Sequence, residues 1–143
     1  MQKIKIKTVI GRTEKIDFPE LDLFNIPAKV DTGAYTSSLH CHDIHEENNV
    51  LHFKLADPAN KEYNFKDHQF TDYFQKKIKN SFGKMEVRYT IKTLVRIGNK
   101  RIRTKITLSD RGSMKYPVLI GRTLLKNQFI VDVSLTNHLS YKV

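Results

Sequence analysis

At 143 residues, 39% hydrophobic and 28% charged, the chain has the composition of one folded domain spanning 1–143, with a core of modest size. No window approaches the roughly 18 uninterrupted apolar residues of a membrane helix, residues 1–10 alternate Lys with Ile and Val where a secretory signal would run apolar, and Cys41 as the lone cysteine excludes an internal disulfide. A cytoplasmic location without a membrane partner is the expectation.

The formal charge of +10 suits nucleic acid, an anionic membrane face or an acidic substrate, the last being the best specific fit. Its lysines and arginines are spread along the chain, densest in Lys76-Lys77-Ile78-Lys79 and Lys100-Arg101-Ile102-Arg103. A nucleic-acid binder gathers such charge into a patch or helix face, so nucleic acid is not the expected ligand. A solvated basic surface is the plain alternative.

Taken in order, residues 3–10 alternate Ile4 and Ile6 with Lys3, Lys5 and Lys7, the period of a half-buried strand. Residues 16–23 contain Pro19 and read as a short edge segment or loop. Residues 27–30 form a strand that runs directly into Asp31-Thr32-Gly33. Residues 40–46 read as loop, 50–55 as a strand, and 57–64, with Pro58 and Asn60, as a turn. The pattern over 65–81 is weak and predicts a long loop or partial helix.

A hairpin is the clearest element. Val87, Tyr89, Ile91, Thr93, Val95 and Ile97 share one face, Gly98-Asn99 supplies the turn, and Ile102, Ile106 and Leu108 resume the alternation. Residues 116–120 form a buried strand ending at Gly121, residues 122–127 the one short helix, and 129–133 the last strand. With no repeats and no linker, an all-β, barrel-like domain follows.

The chemistry centres on Ala28-Lys29-Val30-Asp31-Thr32-Gly33-Ala34. An acid directly after a strand, followed by Thr-Gly, sits on a tight turn. The Gly33 amide is free to donate to the carboxylate, and Thr32 to bond nearby backbone. By itself this is also the pattern of an Asx turn closing a strand. Downstream, however, comes Pro117-Val118-Leu119-Ile120-Gly121-Arg122-Thr123-Leu124-Leu125.

The two segments, in this order and spacing, resemble the retropepsins, aspartic peptidases whose second element threads past the catalytic turn. The resemblance extends to one bacterial and archaeal branch that carries the label of ATP-dependent zinc protease. It rests on Ala28, Lys29, Asp31 to Ala34, Thr36, Ser37, Leu39 and His40, then on Glu86 with Arg88, Arg111 with Met114, Leu119 with Gly121-Arg122, and Val131-Asp132. It covers about residues 11–139 and departs at Tyr35, where the branch has arginine, and in the polar stretch 57–79.

The resemblance implies a closed retropepsin-like acid-protease β-barrel, with one short helix after Gly-Arg. It also implies peptidase activity with Asp31 as the catalytic carboxylate on the Asp31-Thr32-Gly33 turn. Such enzymes need two carboxylates sharing one proton. One Asp-Thr-Gly per chain therefore calls for a second copy around a two-fold axis, a homodimer. Branch members are associated with ligases that append glutamates to proteins, and an acidic, glutamate-rich protein tail is the implied substrate, steered by the positive charge.

Lys29, His40, Arg88, Arg111 and Arg122 are the candidate substrate-binding residues. Lys29 lies two positions before Asp31, on the same face of a regular strand; a cation there disfavours proton sharing, an objection to simple retropepsin chemistry. The arginines are suited to forks on carboxylates, with surface or structural ion pairs as the bland reading. Arg122, opening the helix, is the first to take a structural role. For His40, packing under the turn competes with substrate orientation.

The label's zinc and ATP find no support in the residues, and no cofactor or catalytic metal is expected. His40-Cys41-His42-Asp43-Ile44-His45-Glu46 is dense in ligand types, but His45-Glu46-Glu47-Asn48-Asn49 lacks the second histidine of a zincin helix, leaving incidental metal at His40, His42 and His45. Ser81-Phe82-Gly83-Lys84 supplies no phosphate-binding loop. Cys41 lacks a catalytic base, and Asp132, with no Thr-Gly after it, reads as a structural strand-end acid. Two other functions compete: a non-catalytic retropepsin-like module that grips acidic protein segments, and a basic barrel for single-stranded nucleic acid. For the latter, Tyr73-Phe74 before Lys76-Lys77 is a poor version of the required aromatics.

Overall fold

In the computed structural model, which describes residues 6–79, 82–110 and 115–139, the alternating sequence resolves into strands β1 (Thr8–Ile10), β2 (Thr13–Phe18), β3 (Leu23–Val30), β4 (Ser37–Glu47), β5 (Val50–Leu55), β6 (His68–Phe70), β7 (Tyr73–Lys79), β8 (Met85–Ile97), β9 (Lys100–Ser109), β10 (Val118–Ile120) and β11 (Phe129–Val131). One short helix, α1 (Arg122–Leu125), follows Gly121. Six strands close a barrel in the order β10-β3-β2-β8-β9-β4, with β4 pairing back onto β10. The all-β, retropepsin-like barrel implied by the sequence is the fold observed.

The barrel is held by inward residues spaced two apart. Ile16 and Phe18 of β2, Ile26 and Ala28 of β3, Ile91, Val95 and Ile97 of β8, Ile106 and Leu108 of β9, and Val118 and Ile120 of β10 form one buried core. Slipping the β8–β9 register by one residue would expose Ile91, Val95 and Ile97 together. At about 1.5–3 kcal/mol per side chain, that loss rivals the whole stability of a domain. The register Val95↔Ile102 and Ile91↔Ile106 is thereby fixed, and with it the position of Arg88 on the same strand.

Several elements differ from the sequence reading. Residues 16–23 are no edge segment: β2 lies inside the sheet between β3 and β8, and Pro19 falls just beyond it, opening a 3-10 turn (Pro19–Leu21) where its missing amide costs nothing. Residues 40–46 belong to the eleven-residue strand β4 rather than a loop. A bulge between His42 and His45, with Asp43 at φ 55°, puts one extra residue into β4 and breaks the period-2 signal on which the strand would have been recognised. The segment 65–79 is also partly strand, because β7 pairs with β8 along seven residues. Its apolar residues, Tyr73 on one face and Phe74 and Ile78 on the other, do not alternate cleanly with its polar ones. The first strand is shorter than expected and begins at Thr8; residues 1–5 lie outside the described part.

Strands β4, β5 and β6 continue off the barrel as an antiparallel sheet. β1 and β11 form a separate parallel two-stranded ribbon. Among the described residues, no helix is long and apolar enough to cross a membrane.

Candidate active site

Strand β3 ends at Val30, and the next residue, Asp31, is fixed from three sides. Its amide donates to the Ile120 carbonyl at 2.9 Å, its carbonyl accepts from the Ala34 amide at 3.1 Å, and its carboxylate Oδ1 accepts from the Gly33 amide at 3.0 Å. A Cβ on Gly33 would stand 3.2 Å from that same oxygen. Glycine therefore lets the carboxylate lie against the backbone. No other hydrogen bond to the carboxylate is found among the described residues, and Asp31 lines the cleft.

The turn is locked by the downstream element, as the paired motifs imply. β10 lies between β3, to which it is parallel (Leu119↔Lys29), and β4, to which it is antiparallel (Leu119↔Ser38). Beyond it the chain passes so close to the Asp31 loop that a Cβ on Gly121 would meet Thr36 carbonyl carbon at 2.6 Å and its oxygen at 2.7 Å. The Gly121 amide donates to Ser37 Oγ at 2.9 Å in a buried contact. Arg122 and Thr123 amides then cap the Ala34 and Tyr35 carbonyls, both at 2.9 Å.

Arg122 Nη1 donates to the Thr32 carbonyl at 3.0 Å, and its guanidinium lies over the Tyr35 ring, 5.6 Å from the centroid. It is thus part of the frame that holds the turn, and Tyr35, at the position where the sequence departs from the branch, completes that contact. Thr32 itself is exposed.

On one side of Asp31 a cavity of about 250 Å³ is lined by Asp31, Tyr35, Ser38, His40, Arg88 and Tyr116, among others. It shares Arg88, Leu108 and Ser109 with a larger cleft of about 840 Å³ that runs beneath the β7–β8 ribbon past Lys79, Phe82 and Tyr89. On the other side, Lys29, Lys115 and Tyr116 line a groove of about 410 Å³ with Asp31. Three cations, Lys29, Arg88 and Lys115, therefore border the carboxylate's surroundings. Lys29 and Asp31 share that groove, but no ion pair within 4.0 Å joins them.

Of the expected site residues, Asp31, Thr32, Gly33, Lys29, His40, Arg88 and Arg122 all lie around this cleft. Arg111, with Met114, lies outside the described residues. His40 is buried, and its Nδ1 lies 3.1 Å from the Ser109 carbonyl, so it packs at the cavity floor with one ring nitrogen engaged. Lys115, Tyr116 and the bond from Gly121 to Ser37 Oγ were not assigned roles from the sequence. Ser37 was visible in the Thr36-Ser37 pair, whereas nothing local distinguished Lys115.

Away from the cleft, Cys41 is buried, which pushes its thiol well above the ordinary range and leaves it inert. Asp132 accepts from the Ser134 hydroxyl at 2.6 Å and amide at 2.9 Å, which lowers its carboxyl below the ordinary value; it is a strand-end structural acid. The ribbon above the cleft is tied down at Glu46. Its carboxylate accepts from Tyr73 at 2.5 Å and Tyr89 at 2.8 Å, and Tyr73 is pushed up to about 12 by that bond.

The histidines do not converge as His40, His42 and His45. His42 Nε2 lies 2.9 Å from the Asn64 carbonyl, and His40 turns inward. The residues brought together are instead His45, Glu47 and His52, on strands rather than the helix of a zincin. They do not fit a catalytic zinc at Asp31, since none of them lines either cavity or the groove beside that residue.

Comparison with known proteins gives concordant results. A family profile described as "RimB-like: Retropepsin-like aspartic endopeptidase RimB" matches residues 9–140. Proteins named "Probable alpha-L-glutamate ligase" from Shewanella halifaxensis and Desulfotalea psychrophila are 33% and 32% identical over 132 and 133 residues. A protein of the same name from Parasynechococcus marenigrum is 30% identical over 130 residues. These matches cover 88–90% of this chain but only 28–29% of the relatives, so the chain spans less than a third of their length. A crystal structure of a Legionella pneumophila protein of unknown function superposes with a TM-score of 0.72 at 26% identity, covering 94% of this chain and 99% of that one.

Proposed function

The chain belongs to the RimB-like family of retropepsin-like aspartic endopeptidases, and from that premise we propose that it is an aspartic peptidase working as a homodimer, with one Asp31 carboxylate from each protomer. The observation that carries the reading is the setting of Asp31: one carboxylate oxygen held by the Gly33 amide, the residue lining a cleft, on a turn braced by Gly121 and Arg122. A water held between two such acids would lose a proton to one carboxylate and attack the peptide carbonyl. The other acid donates a proton to that carbonyl oxygen, and the leaving amine is protonated as the bond breaks.

One chain has one such turn, so the second acid must come from a partner copy. The exposed face of the β1–β11 ribbon is suited to meet that copy. Val9 and Ile130 are register partners there, 38% and 55% exposed, and Val133 is 70% exposed. A groove lined by Lys7, Thr32, Tyr35, Arg122 and Val131 joins this ribbon to the Asp31 turn.

The proposed substrate is an acidic, glutamate-rich protein segment. Lys29, Arg88 and Lys115 around the cleft, the net charge of +10 and the occurrence of the module in proteins named for glutamate ligation support it. Ligation itself is the named activity of proteins more than twice this length and is not proposed here.

The test is Asp31→Asn, assayed on an oligoglutamate-tailed protein together with the oligomeric state in solution. Loss of turnover with retained substrate binding and dimerisation supports the peptidase. Turnover that survives the substitution, or a wild-type monomer that cleaves, would falsify it. Cleavage should also slow steeply as salt rises, since steering by exposed charges is screened within about 8–10 Å at physiological ionic strength. A flat response removes the acidic substrate.

The second reading is a non-catalytic module for the same acidic segments, favoured by Lys29 in the groove beside Asp31. It predicts tight binding with no cleavage by the wild-type dimer.

A further inference from the structure

At the far end of β4 from the active site, the β4–β5 hairpin turns through Asn48 and Asn49, at φ 54° and 61°. Two successive left-handed residues are the signature of a tight type I′ turn, which holds the strand ends in register. His45 and His52 face each other across it, and Glu47 stands two residues beyond His45 on the same face. The two imidazoles are stacked, 5.0 Å between centroids and 4° from parallel. One ligand atom from each of His45, Glu47 and His52 lies within 4.8 Å of the other two.

The outer ring of contacts is what distinguishes this group from three surface residues met by chance. His52 Nδ1 is bonded to Asp67 Oδ2 at 2.9 Å, and His45 Nδ1 lies 3.1 Å from the Asp43 carbonyl. Each Nδ1 is thereby engaged as a donor, which puts the lone pair on Nε2, and His45 Nε2 is the atom nearest Glu47, at 3.9 Å. A carboxylate or carbonyl behind a histidine, fixing its tautomer, is the arrangement that supports metal-ligating imidazoles. Asp67 is itself oriented by Gln69 at 3.3 Å. On a chain of +10 net charge, Asp43, Glu46, Glu47 and Asp67 also make this end of the hairpin locally acidic.

We propose that His45, Glu47 and His52 form a binding site for a divalent transition metal of the zinc class, separate from the peptidase centre, that clips the β4–β5 hairpin. Two neutral imidazoles and a carboxylate are an apt donor set for zinc, with a fourth position left to water. A tetrahedral ion with bonds of about 2.0–2.1 Å needs its donors about 3.3 Å apart, so the ligands must close by about 1.5 Å from the 4.8 Å limit. Parallel rings direct their in-plane lone pairs side by side, so binding also turns the His45 ring out of the stack. His45 and Glu47, with side chains 43% and 67% exposed, have room to do this and to swing onto the more buried His52, whose side chain is 16% exposed.

The test is calorimetric titration of the chelator-stripped protein with zinc chloride, with thermal unfolding of the same samples. Expected are one saturable ion per chain, a zinc-dependent rise in Tm, and a loss of affinity of tenfold or more in His52→Ala and Glu47→Gln. Asp67→Asn leaves all three ligands in place and should weaken zinc by about tenfold through the orientation of His52. His138→Ala, at an exposed histidine elsewhere, should leave binding unchanged.

Absence of saturable uptake at about 1 mM zinc, or uptake indifferent to both Glu47→Gln and Asp67→Asn, overturns the site. Turnover of stripped and zinc-loaded protein should be equal, and loss of turnover on stripping overturns the separation from the catalytic centre. The binding result stands or falls without reference to peptidase activity.

Discussion

Gly121→Ala is the substitution on which the active-site architecture bears most directly. An added Cβ would sit 2.6 Å from the Thr36 carbonyl carbon, 2.7 Å from its oxygen and 3.0 Å from the Ser37 amide. Ordinary contacts at such atoms begin near about 3.4 Å, so the shortfall is about 0.8 Å, and it is met by backbone rather than by a side chain able to rotate away. Overpacking of this kind costs about 1–3 kcal/mol. The upper half of that range applies, because the displaced segment also holds the Gly121 amide to Ser37 Oγ bond and the two amide caps at Ala34 and Tyr35.

For a domain of this size 2–3 kcal/mol lowers Tm by about 6–12 °C. Since the loop that moves carries Asp31, turnover should fall by about a hundredfold, the scale of an ångström-sized misplacement. Thermal unfolding by circular dichroism, with turnover measured well below the shifted Tm, reads both effects. Gly33→Ala serves as the contrast: its Cβ approaches only Asp31 Oδ1, at 3.2 Å, so activity should drop with little change in Tm. A Gly121→Ala protein within about 1 °C of wild type and fully active would refute the close crossing, and with it the explanation for glycine at this position.

Removing the brace at the same turn has a different signature. Arg122→Ala loses the bond to the Thr32 carbonyl and the contact over Tyr35; about 1 kcal/mol of stability should go with tenfold or more in turnover, and equal, small effects on both would show that the arginine does not order the loop. Glu20 should dominate the acid sensitivity of the β8–β9 face. Its carboxyl is lowered from 4.5 to about 2, chiefly by the Arg103 fork and also by the Leu94 amide. That shift would be worth about 3 kcal/mol taken whole. Solvent screening of a 42% exposed group reduces it to about 1 kcal/mol.

The stabilisation from Glu20 is complete above about pH 4.5 and lost as pH falls towards 2. Glu20→Gln should therefore unfold more easily than wild type at pH 7 and equally easily near pH 2; a constant gap across that window would exclude the ion pair as its source. His68 is buried with no hydrogen-bond partner for Nε2 among the described residues, and burial, helped by Lys66, holds its pKa below 6.5. Being depressed in the folded state, it contributes stability above pH 6.5 that declines as pH falls through its folded pKa. NMR titration should place that pKa below 6.5, and His68→Phe, stacking on Phe53, should flatten the decline; titration of His68 above 6.5 would contradict its burial.

The amino-acid sequence by itself determined those features that depend on local spacing. The alternation from Val87 to Leu108 around Gly98-Asn99 dictates the central hairpin, because a one-residue slip would turn its apolar face to water. Asp31-Thr32-Gly33 and Leu119 to Leu125, read together through their resemblance to the retropepsins, likewise announced the Asp31 turn and the element that crosses it.

Tertiary structure decided the features that depend on strands meeting from distant parts of the chain. β4 was illegible because a bulge at Asp43 shifts the phase of its side chains halfway along, and β7 because pairing with β8 stabilises a strand whose apolar residues fall on both faces. The same bulge sets the register that brings His45 opposite His52, so a run of histidines that looked like one cluster divides between the cavity floor, a loop carbonyl and the hairpin. Spacing along the chain specifies which residues can share a face; only the pairing of strands decides which faces meet.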